Sequence, residues 1–133
     1  MIELIEFEEE KHYDMLQSWW VAHGWQGVHP SVLKPVAYIA KQDGEPVCFA
    51  VLWPVTEAGI CLMEWIVSNP EAKPMAVIRG IRTISKFYEE LARENDYGMI
   101  FTTCRQEGLA KVHERNGFER CDEGMIHLAK TID

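Results

Sequence analysis

A single carboxylate interrupts an otherwise apolar run of the chain. Glu64 stands within "ICLMEWIV", residues 60–67, whose composition is typical of a buried strand. Burial disfavours the charged form of a carboxylate and raises its pKa toward the range in which a general base can deprotonate an amine. Glu64 is therefore the candidate base. The alternative is a glutamate that points to solvent or pairs with a neighbouring basic residue.

The stretch "KVHERNGFERCD", residues 111–122, joins the end of a predicted helix to a predicted strand. Asn116-Gly117 is the stop signal, because glycine at the C′ position takes the left-handed conformation without a Cβ clash. His113 lies on this short helix, four residues before Gly117, and histidine titrates near neutral pH. It is either a proton donor at a reacting group or an ordinary polar residue of the helix.

The composition favours one globular domain spanning residues 1–133, with 47% hydrophobic and 26% charged residues and no polar tract. The net charge of −8 disfavours nucleic acid as a partner. The longest apolar run, residues 47–53, is too short to cross a bilayer, and the N-terminus lacks the layout of a signal peptide. We therefore expect a cytoplasmic protein, monomer or homodimer, with neither nucleic-acid nor membrane partners.

The four cysteines do not follow the spacing of a metal site. Cys48, Cys61, Cys104 and Cys121 are 13, 43 and 17 positions apart, without a C-x-x-C pair. We expect reduced structural thiols and no metal. Cys104 has no evident acidifying neighbour, so we do not expect it to act as a nucleophile.

The elements that must position these residues can be read from the hydrophobic periodicity. The patterns predict a strand over 2–8, a helix over 12–23, strands over 36–41, 47–53 and 60–67, a helix over 75–94, a strand over 99–104, a helix over 106–115, and a closing hairpin of 118–121 and 125–130. A strand followed by a long helix and another strand predicts parallel pairing with the helix packed on the sheet. The predicted fold class is α/β (α+β), with a mixed, mostly antiparallel sheet and helices on both faces.

Gly80 lies inside the predicted helix over 75–94, where glycine costs ~1 kcal/mol relative to alanine. We interpret it as a point where the helix approaches the sheet closely.

The segment "AKVHERNGFERCD", together with this element order, resembles the GNAT family of acyl-CoA-dependent N-acetyltransferases. In that family a helix of the form A-x-x-x-Y-x-x-x-G-F runs into the sixth strand. The resemblance covers nearly the whole chain and implies an acyl-CoA N-acyltransferase-like fold. It also implies acetyl-CoA as co-substrate and direct attack of an amine on the thioester, without a covalent enzyme intermediate.

The resemblance assigns the cofactor to two segments. The fourth and fifth strands of the family separate, and the pantetheine pairs there with backbone that maps to Trp65, Ile66 and Val67. The pyrophosphate lies at the start of the long helix, where the family's loop has the form Arg/Gln-x-x-Gly-x-Gly/Ala. This chain has "NPEAKPMAVIRG", residues 69–80, with no glycine before the helix. The expected phosphate-side contacts are Lys73, Ala76 and Arg79.

His113 stands where many family members carry the tyrosine that protonates the departing CoA thiolate. The resemblance therefore implies that His113 acts at the sulfur and Glu64 at the amine, directly or through a water. The acceptor is expected beside the first helix and its loop, and a small amine or a peptide N-terminus suits it equally. The expected lining residues are Trp25, Gln26, His29 and Tyr38.

Two other interpretations remain open at this point. The unusual pyrophosphate segment is compatible with a catalytically inactive binding or structural protein of the same fold, including a phage-type or virion-associated relative. The mixed sheet alone is also compatible with an unrelated small α/β ligand-binding regulator.

Overall fold

The computed structural model describes residues 1–132, which form one five-stranded sheet and three α-helices. The elements are β1 (Ile2–Glu6), α1 (Glu9–Ala22), β2 (Val36–Gln42), β3 (Glu45–Val55), β4 (Ile60–Ser68), α2 (Pro74–Glu94), β5 (Met99–Thr102) and α3 (Glu107–Arg115), with short 3₁₀ turns at Pro30–Val32 and Thr56–Ala58. The strand order is β1-β2-β3-β4-β5, antiparallel throughout except for the parallel pair of β4 and β5. The predicted mixed, mostly antiparallel sheet is confirmed.

Helices cover both faces of this sheet because the side chains of each strand alternate between them. On one face, Leu16 and Trp20 of α1 pack against Phe49 of β3. On the other face, Ile84 of α2 packs with Cys48 of β3. The long helix therefore forms one layer of the core, and α1 with its following loop forms the other.

The end of α3 has the structure predicted from Asn116-Gly117. Gly117 has a φ of 98°, and its N–H donates to the carbonyl of Glu114 at 3.1 Å. The Phe118 N–H donates to the carbonyl of His113 at 3.1 Å, and the two rings lie 5.3 Å apart. These two bonds and the ring contact form a Schellman motif, which ends the helix by satisfying its last carbonyls.

The predicted closing hairpin is wrong, because residues 118–132 contain no strand. Arg120 instead pairs with Glu107 and Glu114 of α3, the latter at 3.1 Å, and with Glu123 at 2.8 Å. These contacts hold the chain beside α3 within the segment predicted to form the hairpin.

The cysteines are all free, and Cys48 and Cys61 are buried in the core. Burial raises the pKa of the Cys48 thiol to about 12. Cys104 is half-buried and Cys121 is exposed. Within residues 1–132, no three or more His, Cys, Asp or Glu side chains are grouped so as to hold a metal ion. No helix in this part of the chain is both long and apolar enough to span a membrane.

Gly80 marks a close approach of α2 to the sheet, as its position in the sequence predicts. A Cβ atom at this position would lie 2.8 Å from both the Cys48 Sγ atom and the Val47 Cγ2 atom, and both neighbours are buried in β3. Alanine therefore does not fit here unless the helix or the strand moves.

We predict that Gly80→Ala lowers the free energy of unfolding by about 1 kcal/mol, because an overpacking cost of about 1–3 kcal/mol exceeds the ~1 kcal/mol gain in helix propensity. Gly108→Ala in α3 is the matched control, since a Cβ atom there meets nothing within 4 Å. It should stabilise the protein in the same urea titration. Equal stabilisation by both substitutions would contradict the close packing.

Candidate active site

β5 is short and pairs only with the first four residues of β4. The parallel pairing runs from Ile60 and Met99 to Met63 and Thr102. It ends where the Thr102 hydroxyl donates to the Met63 carbonyl at 2.8 Å. β4 continues to residue 68, so residues 64–68 have no partner in β5. Such an unpaired edge can accept an extended chain that carries amide groups.

A β-bulge lies in β4 at the level where this pairing stops. Trp65 and Ile66 lie opposite the single residue Ala50 of β3. Trp65 has a φ of 54°, a left-handed conformation that is strained for a bulky residue. A bulge of this kind bends its strand and re-aims the neighbouring side chains, so it changes the course of β4 where β5 ends.

The hydroxyl of Tyr88 fixes the sheet beside the bulge. It donates to the carbonyl of Ala50 at 2.6 Å and accepts from the N–H of Tyr38 at 3.1 Å. Tyr88 is fully buried on α2. One side chain of the helix therefore links the backbones of β2 and β3 at Ala50, the residue that lies opposite two residues of β4.

We predict that Tyr88→Phe lowers the free energy of unfolding by about 1–3 kcal/mol, because it leaves a buried N–H and a buried carbonyl without their partner. Tyr97→Phe is the matched control: its hydroxyl contacts the Thr56 hydroxyl at 3.2 Å in an exposed position. The control should change stability by less than about 0.5 kcal/mol in chemical denaturation. An equal loss of stability in Tyr88→Phe and Tyr97→Phe would contradict a stabilising role for the bridging hydroxyl.

Glu64 lies at the point of separation, on the face of the sheet that α1 covers. It pairs with Val51, which packs in the α1 layer. Its carboxylate is half-buried and accepts a hydrogen bond from the Thr103 hydroxyl at 3.4 Å. Burial raises the pKa of Glu64, while the charge of His127 and the Thr103 hydrogen bond act in the opposite direction. The direction of the shift is the one that the sequence predicts.

Three segments meet around this point and form what we call the mouth ring. The His23 ring contacts the Ser68 carbonyl at 3.0 Å, which ties the end of α1 to the end of β4. The His23 and Trp25 rings lie 5.5 Å apart, and the guanidinium of Arg105 lies 5.8 Å from the centre of the Trp25 ring. The mouth ring consists of His23, Trp25, Glu64, Ser68, Thr103 and Arg105.

Four residues of the mouth ring were not predicted from the sequence: His23, Ser68, Thr103 and Arg105. His23 and Ser68 are 45 positions apart, and no local pattern indicates their contact. Thr103 and Arg105 directly follow β5. The rule that sites form at the carboxyl ends of strands could have identified those two.

The predicted acceptor residues do not all meet here. Trp25 belongs to the mouth ring, and Gln26 is exposed beside it. His29 begins the 3₁₀ turn, where its Nδ1 atom accepts from the Ser31 N–H at 3.1 Å. The prediction for Tyr38 is wrong, because its ring lies 4.7 Å from Phe87 on the α2 face of the sheet. The alternation of β2 directs it away from α1.

The start of α2 offers few donors to an anion. Lys73 precedes the helix and is exposed, while Pro74 has no N–H. The Ala76 N–H donates to the Lys73 carbonyl at 2.9 Å, and the Ala76 side chain is buried in the core. In the first turn of α2, the Met75 N–H is thus the donor left to bind a phosphate.

Arg79 is directed away from the opening. Its Nε atom donates to the Gln42 side chain at 2.8 Å, at the end of β2. β2 is separated from β4 by β3 in the sheet.

His113 is buried, with 2% of its surface exposed, and neither ring nitrogen has a hydrogen-bond partner within residues 1–132. Burial lowers its pKa to about 4. The imidazole is therefore neutral at pH 7 and can offer one N–H as a hydrogen-bond donor. It is therefore not the protonated imidazolium that the predicted role as proton donor requires.

We predict that His113 makes the protein less stable in acid. Its pKa is about 4 in the folded state against 6.5 ordinarily, so the unfolded chain binds the proton first as the pH falls below 6.5. The free energy of unfolding should lose about 2 kcal/mol from this residue between pH 7 and pH 5. Urea titrations of the wild type and His113→Leu at both pH values check this. Equal pH dependence in the two proteins would contradict a buried neutral imidazole.

A separate surface depression of about 670 Å³ lies at the turn from β1 to α1, lined by residues 5–8 with Lys11 and His12. It is at the opposite edge of the sheet from β5. None of the mouth-ring residues lines it.

Solved structures match the chain over its length, whereas the sequence matches no protein-family model and no curated protein. An acetyltransferase from Trypanosoma brucei has a TM-score of 0.65 and 17% identity, covering 98% of this chain and 100% of its own. A protein from Thermus thermophilus has a TM-score of 0.67 and 17% identity, covering 98% of this chain and 96% of its own. N-acetylglutamate synthase from Neisseria gonorrhoeae, solved with coenzyme A and N-acetyl-glutamate, has a TM-score of 0.63 and 15% identity, covering 86% of this chain and 28% of its own.

These matches, with the five-stranded mixed sheet and the helices on both faces, show that the chain has the GNAT acetyltransferase fold. The resemblance found in the sequence is confirmed for the fold.

Proposed function

We propose that the chain is an acetyl-CoA-dependent N-acetyltransferase that transfers an acetyl group directly to a small-molecule or peptide amine. The observation that carries this proposal is the opening at the end of β5, where Glu64 lies beside β4 backbone that β5 leaves unpaired. The acetyltransferases among the structural neighbours support it, as does the synthase solved with coenzyme A.

The site offers more contacts to the pantetheine of acetyl-CoA than to its pyrophosphate. The backbone of residues 65–67 suits the extended amide chain of pantetheine, because no β5 residue pairs with it. For the pyrophosphate, the Lys73 ammonium and the Met75 N–H are available at the start of α2. Acetyl-CoA would supply the acetyl group as an activated thioester, and the proposal includes no metal.

Glu64 acts as the base in this proposal. Its raised pKa strengthens it as a proton acceptor, and the Thr103 hydroxyl orients one of its oxygens. Glu64 takes the proton that the amine loses as the amine nitrogen bonds to the acetyl carbon and the C–S bond breaks. His113 is proposed to contact the departing sulfur as a neutral N–H donor, since its buried nitrogens otherwise remain unpaired.

We predict that Glu64→Gln lowers kcat by roughly 10²–10⁴-fold, the usual worth of a general base. Acetyl-CoA affinity should stay within a few fold, because the carboxylate is not needed to hold the cofactor. Glu57→Gln in the exposed turn after β3 is the matched control and should leave both quantities unchanged. Thiol release gives kcat, and calorimetry gives the affinity. Full turnover in Glu64→Gln would remove Glu64 from the chemistry.

The sparse donors at the start of α2 favour a second candidate function. A GNAT-fold binding or structural protein without turnover, including a phage-type or virion-associated one, would need no pyrophosphate site. Titration with acetyl-CoA separates the two. Saturable heat and thiol release with an amine support the transferase, and the absence of binding at millimolar acetyl-CoA supports the binding protein.

A further inference from the structure

We infer that the acceptor carries a carboxylate a few bonds from its reacting nitrogen, and that Arg105 binds this carboxylate at the mouth ring. The inference rests on the proposed function and narrows its substrate to an amino acid or a similar amphoteric amine.

Arg105 is a cation held in place without an acidic partner. Its guanidinium lies 5.8 Å from the centre of the Trp25 ring, and none of the carboxylates of residues 1–132 forms an ion pair with it. Stacking on an aromatic face fixes a guanidinium while its N–H groups stay free to bind a carboxylate through two bonds. Arg120 provides the contrast, because it is fully engaged with three glutamates.

The Trp25 ring, on which Arg105 stacks, is connected to the end of β4. The Trp25 ring lies beside His23, and the His23 ring contacts the carbonyl of Ser68 at the end of β4. The loop after α1 is also fastened to α1 by the Tyr13 hydroxyl, which donates to the Val28 carbonyl at 2.6 Å. Arg105 is therefore held relative to β4, which carries the base.

The backbone positions that carry Arg105 and the hydrogen-bond partner of the base are close together. Thr103 donates to Glu64, and Arg105 follows Thr103 by two residues. Two residues of extended chain span at most about 7 Å. For an amine directed at Glu64, the proposed ligand of Arg105 is a carboxylate on the same carbon or a few bonds further away.

The overall charge makes a local cation necessary for this specificity. The chain carries a net charge of −8, which repels anionic ligands at long range. Glu64 at the site adds to that repulsion. An anionic group can be selected here only if a nearby positive charge compensates for it. His127 is the residue whose charge acts on Glu64, and Arg105 supplies a second positive charge on the Trp25 side of the mouth ring.

The test compares pairs of acceptors that differ only in the carboxylate, such as phenylalanine with phenethylamine and alanine with ethylamine. Thiol release at saturating acetyl-CoA gives kcat and KM. The wild type should prefer the carboxylate member by ~10-fold or more in kcat/KM, as expected for a charge-assisted pair. Arg105→Gln should raise KM for that member by ~10-fold, leave kcat within a few fold, and abolish the preference.

Two controls accompany this substitution. Arg93→Gln makes the same charge change at the far end of α2, where Arg93 pairs with Glu89 at 3.7 Å, and should keep the preference. Arg105→Lys should keep part of the preference for the carboxylate member, because the charge remains while the bidentate hydrogen bonding is lost. Thermal melting verifies that each variant is folded.

Equal kcat/KM for both members of each pair in the wild type would overturn the inference. Equal loss for both members in Arg105→Gln would also overturn it. A protein that binds acetyl-CoA but acetylates no amine of either set would refute this acceptor class, whereas a protein that does not bind acetyl-CoA would refute the proposed function itself.

Discussion

The site depends on a constraint at one level of the sheet, where Tyr88 joins α2 to β2 and β3. β4 has two residues opposite Ala50 of β3, and the Ala50 carbonyl is bound by the Tyr88 hydroxyl at 2.6 Å. The same hydroxyl accepts from the Tyr38 N–H. Because a buried backbone group without a partner costs about 1–3 kcal/mol, this hydroxyl stabilises the pairing of β2 with β3 at the level where β4 bulges.

The opening between β4 and β5 lies directly beside that bulge. β5 pairs with β4 as far as Met63, and the strained Trp65 then redirects the strand. Glu64 stands between these two residues, so the last paired position and the bulge together place a carboxylate beside unpaired backbone. The loop after α1 closes the other side through the contact of His23 with Ser68. Backbone geometry therefore forms the proposed cofactor side, and side chains from three segments form the proposed acceptor side.

Much of this arrangement can be predicted from local patterns, and the rest depends on distant contacts. Local patterns predict the apolar periodicity of α2 and the strands β2, β3 and β4. They also predict the close helix packing at Gly80 and the helix end at Gly117. The prediction for Tyr38 fails because the sequence does not reveal which helix covers each face of β2. The Tyr38 side chain lies on the face that α2 covers. The hairpin prediction fails because residues 118–132 form no strand, and the ion pairs of Arg120 with α3 in this segment follow no periodic pattern. The burial of His113 arises from tertiary packing, which its position on a short helix does not reveal.

We propose that acetyl-CoA binds along the β4 edge beyond Met63. Amide hydrogen exchange with and without acetyl-CoA tests it most directly, because it reports backbone pairing residue by residue. Binding at this edge should add protection concentrated in residues 64–68, with a smaller effect at the start of α2. Protection confined to other parts of the chain, such as the depression at the β1–α1 turn, or no change in residues 64–68 at saturating ligand, would contradict it.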